Sequence, residues 1–151
     1  MQRLSWLISS AIAIFGVMLI QYFYQFKSET GNLGIVGIAI VLPFVLLCLF
    51  ITSRYFYTAS KAMFDKLILI FYNVFGIALT LALIYFAFDY HDKVFQTLGG
   101  DTSNPSSKIY GEFWLNGETC KVYFNFYTIV ALITFTAVSS SLCSFFIKDK
   151  K

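Results

Sequence analysis

Four long apolar segments, none of which contains an Asp, Glu, Lys, Arg or His, constrain this sequence more than any other feature. They cover about 4–24, 33–52, 67–88 and 124–147. A helix needs about 20 apolar residues to cross a hydrocarbon core of about 30 Å, and in lipid the backbone must satisfy its own hydrogen bonds. The sequence therefore predicts an all-α membrane protein, a bundle of four transmembrane helices in one domain that covers residues 1–151.

The composition excludes an ordinary soluble domain. Only 13% of the residues are charged and 58% are hydrophobic, whereas soluble domains are about 25% charged. The first apolar segment is too long for the apolar core of a signal peptide, and no polar mature sequence follows it, so we interpret it as a retained anchor. The lipid bilayer is thus the first partner that the sequence predicts.

The distribution of basic residues predicts the orientation. Four spans put both termini on one side, together with seven basic residues: Arg3, Arg54, Lys61, Lys66, Lys148, Lys150 and Lys151. The other side holds four: Lys27, Lys93, Lys108 and Lys121. Basic residues near span ends mark the cytoplasmic side, so we expect both termini in the cytoplasm, in a plasma membrane or a bacterial inner membrane. The net charge of +3 then reflects topology, and no nucleic acid is expected as a partner.

The connection between the third and fourth segments, 89–123, is the only one long enough to fold by itself. Its first half is rich in Gly, Ser and Asn-Pro, which are signals of turns and loops. Its second half contains Asn116-Gly117, the preferred pair for a two-residue type I′ turn. We therefore expect a small extracytoplasmic β-hairpin at 109–123.

One face of this predicted hairpin is the candidate partner-binding surface. In the register set by the turn, Tyr110 lies opposite Tyr123, and Trp114 lies on the same face. Trp and Tyr are enriched at binding hot spots. The hairpin is thus predicted to be a folded contact element.

Small residues recur at helical spacing within three of the four segments. We assign them to close helix packing: Ser9, Ala13 and Gly16 in the first, Gly76 and Thr80 in the third, and Thr134, Ala137, Ser141 and Ser144 in the fourth. Asn73, deep in the third segment, is expected to hydrogen-bond between helices, or alternatively to line a pore. An exposed stripe that awaits another protein, or a homo-oligomer, is left open.

Candidate catalytic groups are few. No ionisable residue lies within the apolar segments, which disfavours pumps and coupled transporters. His91 is the only histidine, so Asp89, His91 and Asp92 are weak metal ligands and neither a metal nor a cofactor is expected. Cys48, Cys120 and Cys143 form no C-x-x-C motif, and Cys120 is alone in the external connection. Packing is the expected role of Cys48 and Cys143, with reversible acylation as the alternative. We therefore expect a protein that is not an enzyme.

Two resemblances bear on the function. The stretch GEFWLNGETCKVY resembles part of the first extracellular loop of the claudins, but claudins carry it between the first two spans and with a second cysteine. The overall layout resembles immunity proteins against pore-forming colicins, without a shared motif. Contact with another membrane or envelope protein, in an accessory, inhibitory or immunity-like role, is the expected function; the alternative is an oligomeric passive pore or small channel.

Overall fold

Helices account for all the regular secondary structure that the structure, a computed structural model, describes. It describes residues 2–26, 31–63, 65–100, 103–111 and 124–146. The four helices are α1 (Gln2–Phe26), α2 (Gly31–Ala62), α3 (Lys66–Thr97) and α4 (Phe126–Phe146). Each is long and apolar enough to cross a membrane, and the described part of the chain contains no strand.

Two helices extend well beyond the apolar segments that predicted them. α2 was expected to end near residue 52 and α3 near residue 88, yet they end at Ala62 and Thr97. At 32 residues each, they are about 48 Å long, which exceeds a hydrocarbon core. The expectation that these flanking residues are loops was wrong because hydropathy marks where lipid begins, whereas a helix ends at a backbone signal.

At the end of α3 that signal is a glycine. Gly99 adopts a positive φ of 84°, and the Gly100 N–H donates to the Phe95 carbonyl at 2.9 Å while the Gly99 N–H donates to that of Gln96 at 3.2 Å. This pair of bonds is a Schellman motif, which satisfies the last carbonyls of the helix.

The start of α4 is capped by two amide side chains. The Thr128 N–H donates to Asn125 Oδ1 at 2.9 Å, and the Phe126 N–H donates to Gln21 Oε1 of α1 at 3.3 Å. Asn125, which the sequence pattern had placed inside the fourth span, is instead the residue that precedes the helix. These bonds satisfy two of the N–H groups that a helix leaves unpaired at its start.

The helices run alternately up and down. The start of α1 packs against the last third of α2, where Trp6 Nε1 donates to Thr52 Oγ1 at 3.1 Å. The last third of α4 reaches the same part of α2, where Ser140 Oγ donates to Ser53 Oγ at 2.9 Å. The beginning of α1 and the end of α4 therefore lie at the same end of the bundle, which we call the terminal end.

The core is built by α1, α2 and α4. Among the described residues it consists of six buried side chains, two from each of these helices: Ala13, Val17, Val45, Cys48, Ile129 and Ile133. α4 is the central helix, since it packs extensively against α2 and α3 and more sparsely against α1. Among the four described helices, α3 makes substantial contacts with α4 alone. The bundle is thus three helices around a core with a fourth attached at one side.

The predicted hairpin is not supported by the described residues. Residues 109–111 lie in turns, and Gly111 has a positive φ of 73°. Residues 112–123, which include Trp114, Asn116-Gly117 and Tyr123, lie outside the described residues. What is described of the connection is a compact turn structure that folds back on the end of α3.

Candidate interaction site

α3 is attached to the bundle by one narrow seam. Its buried residues are Leu69, Asn73 and Thr80, and Gly76 lies between them against Val138 of α4. The spacing of four, three and four residues is that of a coiled-coil contact line. Most of the other large side chains of α3 are exposed, Leu67 to 77% and Phe71 to 73%.

Polar groups within this seam are satisfied at close range. Asn73 Nδ2 donates to the Leu69 carbonyl of its own helix at 2.8 Å, so its hydrogen bond is intrahelical where an interhelical one was expected. Thr80 Oγ1 lies 2.8 Å from the Gly76 carbonyl oxygen and 3.1 Å from Thr134 Oγ1. Within the described bundle, both side chains thus face the α3–α4 contact.

The other predicted packing residues also lie in or near helix contacts. Ala13 is fully buried, and Gly16 faces Val41 of α2. Ser141 Oγ accepts a hydrogen bond from Ser60 Oγ of α2 at 2.8 Å. Ser9 donates to the Trp6 carbonyl of its own helix at 3.0 Å, Ala137 is half-buried, and Ser144 is buried and donates to the Ser141 carbonyl.

Above Thr80 the seam opens into a groove. This α3–α4 groove is a cavity of about 420 Å³ lined by five residues of α3 and four of α4: Thr80, Ile84, Ala87, Phe88 and His91, then Thr128, Ala131, Leu132 and Phe135. Its length from Thr80 to His91 is about 16 Å, or three helical turns. Tyr127 closes the opposite flank, where its ring packs on those of Phe86 and Tyr90 at 5.9 and 6.2 Å between centroids.

The groove combines small and large apolar side chains with few polar ones. Ala87 and Ala131 contribute small side chains to its lining, whereas Phe88 and Phe135 contribute large ones. His91, at the far end from Thr80, lies 3.1 Å from Asp92 through Nδ1 and packs on the Phe95 ring at 4.5 Å. Small residues are what allow another helix to approach closely in a membrane.

The three weak metal ligands do not converge on one point, since Asp89 pairs with Lys93 and only Asp92 and His91 pair with each other. Lys93 Nζ contacts Asp89 at 2.6 Å, while Asp92 contacts His91. Among the described residues, no group of three His, Cys, Asp or Glu side chains is placed to hold a metal ion. The arrangement at this end of α3 is that of a solvated helix end.

The predicted partner-binding residues are described only at one position. Tyr110 is 58% exposed. It follows a turn in which Ile109 is buried and Ser107 Oγ donates to the Gly100 carbonyl at 2.8 Å. Trp114 and Tyr123 lie outside the described residues. Tyr110 is therefore accessible, and the rest of the predicted hairpin face lies outside the described residues.

Several contacts between helices were not predicted from the sequence. The clearest is that of Trp6, which bonds to Thr52 and stacks on Tyr55 at 5.3 Å with an interplanar angle of 14°. Cys48 Sγ lies 3.6 Å from Ser10 Oγ, so a second polar contact joins α1 and α2 next to the Trp6–Thr52 bond. Cys143, by contrast, is exposed. Trp6 at the start of an apolar segment was an available signal, because a buried Trp N–H needs an acceptor.

No protein-family model matches this sequence, and neither a curated protein nor a solved structure shows significant similarity to it.

Proposed function

We propose that this chain is a non-enzymatic membrane protein that acts by contact with another membrane protein, and that the α3–α4 groove receives a transmembrane helix of that partner. An accessory, inhibitory or immunity-like role is consistent with such a contact. The observation that carries the proposal is the one-sided attachment of α3, which packs substantially on α4 alone and leaves a groove beside it.

The chemistry of the groove favours a helix as its occupant. Its lining is apolar apart from Thr80, Thr128 and His91, so it suits a membrane-embedded segment. Its length of about three turns matches the contact that two crossing helices make. Because lipid tails are as apolar as Leu, association here would depend on close packing over Ala87 and Ala131 and on the groove hydroxyls.

The test is purification of the full-length chain from its native host in mild detergent, with the mass of the intact complex measured. In Ala87→Phe the new ring occupies the groove, and we expect the partner to be lost. Ala78→Phe is the matched control, since Ala78 is exposed on the opposite face of α3, and we expect it to retain a stoichiometric partner.

Other results would contradict the groove assignment. Retention of the partner by Ala87→Phe would exclude the groove as the contact. Loss with Tyr110→Ala/Trp114→Ala alone would instead assign the contact to the predicted hairpin face. A homo-oligomer, or the chain alone, would favour the passive pore, for which conductance in liposomes that contain only this protein is the measurement.

We also infer that both termini are cytoplasmic, in a plasma membrane or a bacterial inner membrane. The terminal end carries Arg3, Arg54, Lys61 and Lys66 with Asp65 as its single described acid. Such an excess of basic residues near span ends marks the cytoplasmic side. A green fluorescent protein fused to the C-terminus should fluoresce and an alkaline phosphatase fused there should be inactive; the reverse pattern would invert the topology.

A further inference from the structure

Arg54 is the first charged residue after the apolar part of α2, and it has no acidic partner in the described structure. The ion pairs among the described residues are His91–Asp92 and Lys93–Asp89, both at the other end of α3. Asp65, the described carboxylate at the terminal end, instead accepts the Leu67 N–H at 2.9 Å as the cap of α3. Arg54 is exposed.

Two cavities flank this side chain. One, of about 380 Å³, lies towards α4 and is lined by Ser53, Tyr57, Ser139 and Ser140 in addition to Arg54. The other, of about 370 Å³, lies towards α1 and is lined by Gln2, Ser5 and Tyr55 in addition to Arg54. Arg54 therefore stands between two recesses whose linings both include hydroxyl groups.

Phe50 also lines both cavities, one helical turn from Arg54 towards the middle of α2. Its side chain is 64% exposed. A ligand that occupies both recesses thus meets a cation and hydroxyls at one level and an aromatic ring at the next. An amphiphile with an anionic head and an apolar tail satisfies both levels.

We propose that Arg54 binds the phosphate of an anionic phospholipid whose acyl chains lie on either side of Phe50. A guanidinium presents paired N–H donors that match two phosphate oxygens. The local charge favours an anionic lipid over a zwitterionic one, because basic pockets between helices at the cytoplasmic leaflet attract anionic headgroups. This site is separate from the α3–α4 groove and does not depend on the partner proposed for it.

Trp6 provides the readout, since it stacks on Tyr55, which lines the cavity towards α1. The chain contains two tryptophans, so a Trp114→Phe background leaves Trp6 as the single reporter. The full chain in neutral detergent is titrated with phosphatidylglycerol or phosphatidylcholine brominated on the acyl chains, and quenching of Trp6 is measured. We expect half-maximal quenching at about fivefold lower mole fraction of phosphatidylglycerol, the factor expected for one basic side chain near an anionic surface.

Arg54→Gln should remove this preference, whereas Lys61→Gln should keep it. Lys61 is the matched control because it lies on the same helix and end, lines neither cavity and has its ammonium 5.9 Å from the Tyr57 ring centroid. Equal quenching by the two lipids, or equal loss in both variants, would overturn the proposal. Displacement of the lipid by inorganic phosphate would assign the site to a soluble anion instead. If Arg54→Gln misfolds, the comparison of the two lipids on the chain with native Arg54 still tests the proposal.

Discussion

The α3–α4 seam makes a sharp prediction at Gly76, which packs against Val138 of α4. A Cβ atom added at Gly76 would lie 2.5 Å from Cγ2 of Val138. An ordinary contact begins at 3.4 Å, so the two groups would have to separate by about 0.9 Å. Val138 is β-branched and stiff at χ1 within a helix, so its side chain cannot turn away at little cost.

The expected free-energy change follows from two opposing effects. Overpacking of this kind costs about 1–3 kcal/mol, while replacement of Gly by Ala within a helix returns up to about 1 kcal/mol. With central values of about 2 kcal/mol lost and about 1 kcal/mol regained, we expect Gly76→Ala to lower the free energy of unfolding by about 1 kcal/mol. The assay is reversible unfolding of the full chain in mixed micelles at rising mole fractions of sodium dodecyl sulfate, followed by circular dichroism and tyrosine fluorescence.

Two further variants separate the steric effect from other causes. Gly16→Ala is the matched control, since its Cβ would lie 3.1 Å from Val41 Cγ1, a distance that a few tenths of an ångström of movement relieves. Val138→Ala should rescue the seam, so Gly76→Ala/Val138→Ala should be at least as stable as Val138→Ala alone. The reasoning is refuted if Gly76→Ala leaves stability unchanged, or if Val138→Ala does not rescue it.

Three more predictions concern hydrogen bonds and one turn. Trp6→Phe and Thr52→Val should each lower the free energy of unfolding by about 0.5–1.5 kcal/mol, and their effects should not add in a double-mutant cycle because both remove the same bond. Ser60→Ala and Ser141→Ala should show a coupling of about 0.6 kcal/mol, the average for such bonds in membranes, and zero coupling would contradict the contact. Gly99→Ala should weaken the end of α3 by about 1 kcal/mol or more, since its φ of 84° disfavours a side chain. Faster amide exchange at Lys108, whose N–H donates to the Leu98 carbonyl, would show this effect.

The four helices could be predicted from the sequence because lipid imposes a minimum length on every apolar segment. Their ends could not. A hydropathy argument assigns two polar segments to loops, Ser53–Ala62 and Asp89–Thr97. Neither segment contains Gly or Pro, and both continue the helices. The end of α3 could have been predicted, because Gly99-Gly100 is the first Gly or Pro after Phe88 and glycine commonly ends a helix.

Which residues contact one another was harder to predict than which residues are buried. Small-residue spacing indicates faces that could pack, but it does not identify the opposing helix. Gln21 illustrates the gap, because its oxygen caps α4, 105 residues away in the chain. Such a contact follows from the arrangement of helices and leaves no periodic trace in the sequence.

The central position of α4 has a consequence for biosynthesis. α1 and α2 pack against each other, so this pair can associate as soon as both are inserted. α3 enters the membrane next and finds almost none of its final contacts, because its seam belongs to α4. Until the last helix is inserted, α3 must persist as an isolated helix, held in place only by lipid. A chain that stops before Phe126 would therefore leave Gly76, Thr80 and the groove residues open to other membrane proteins and to quality-control proteases.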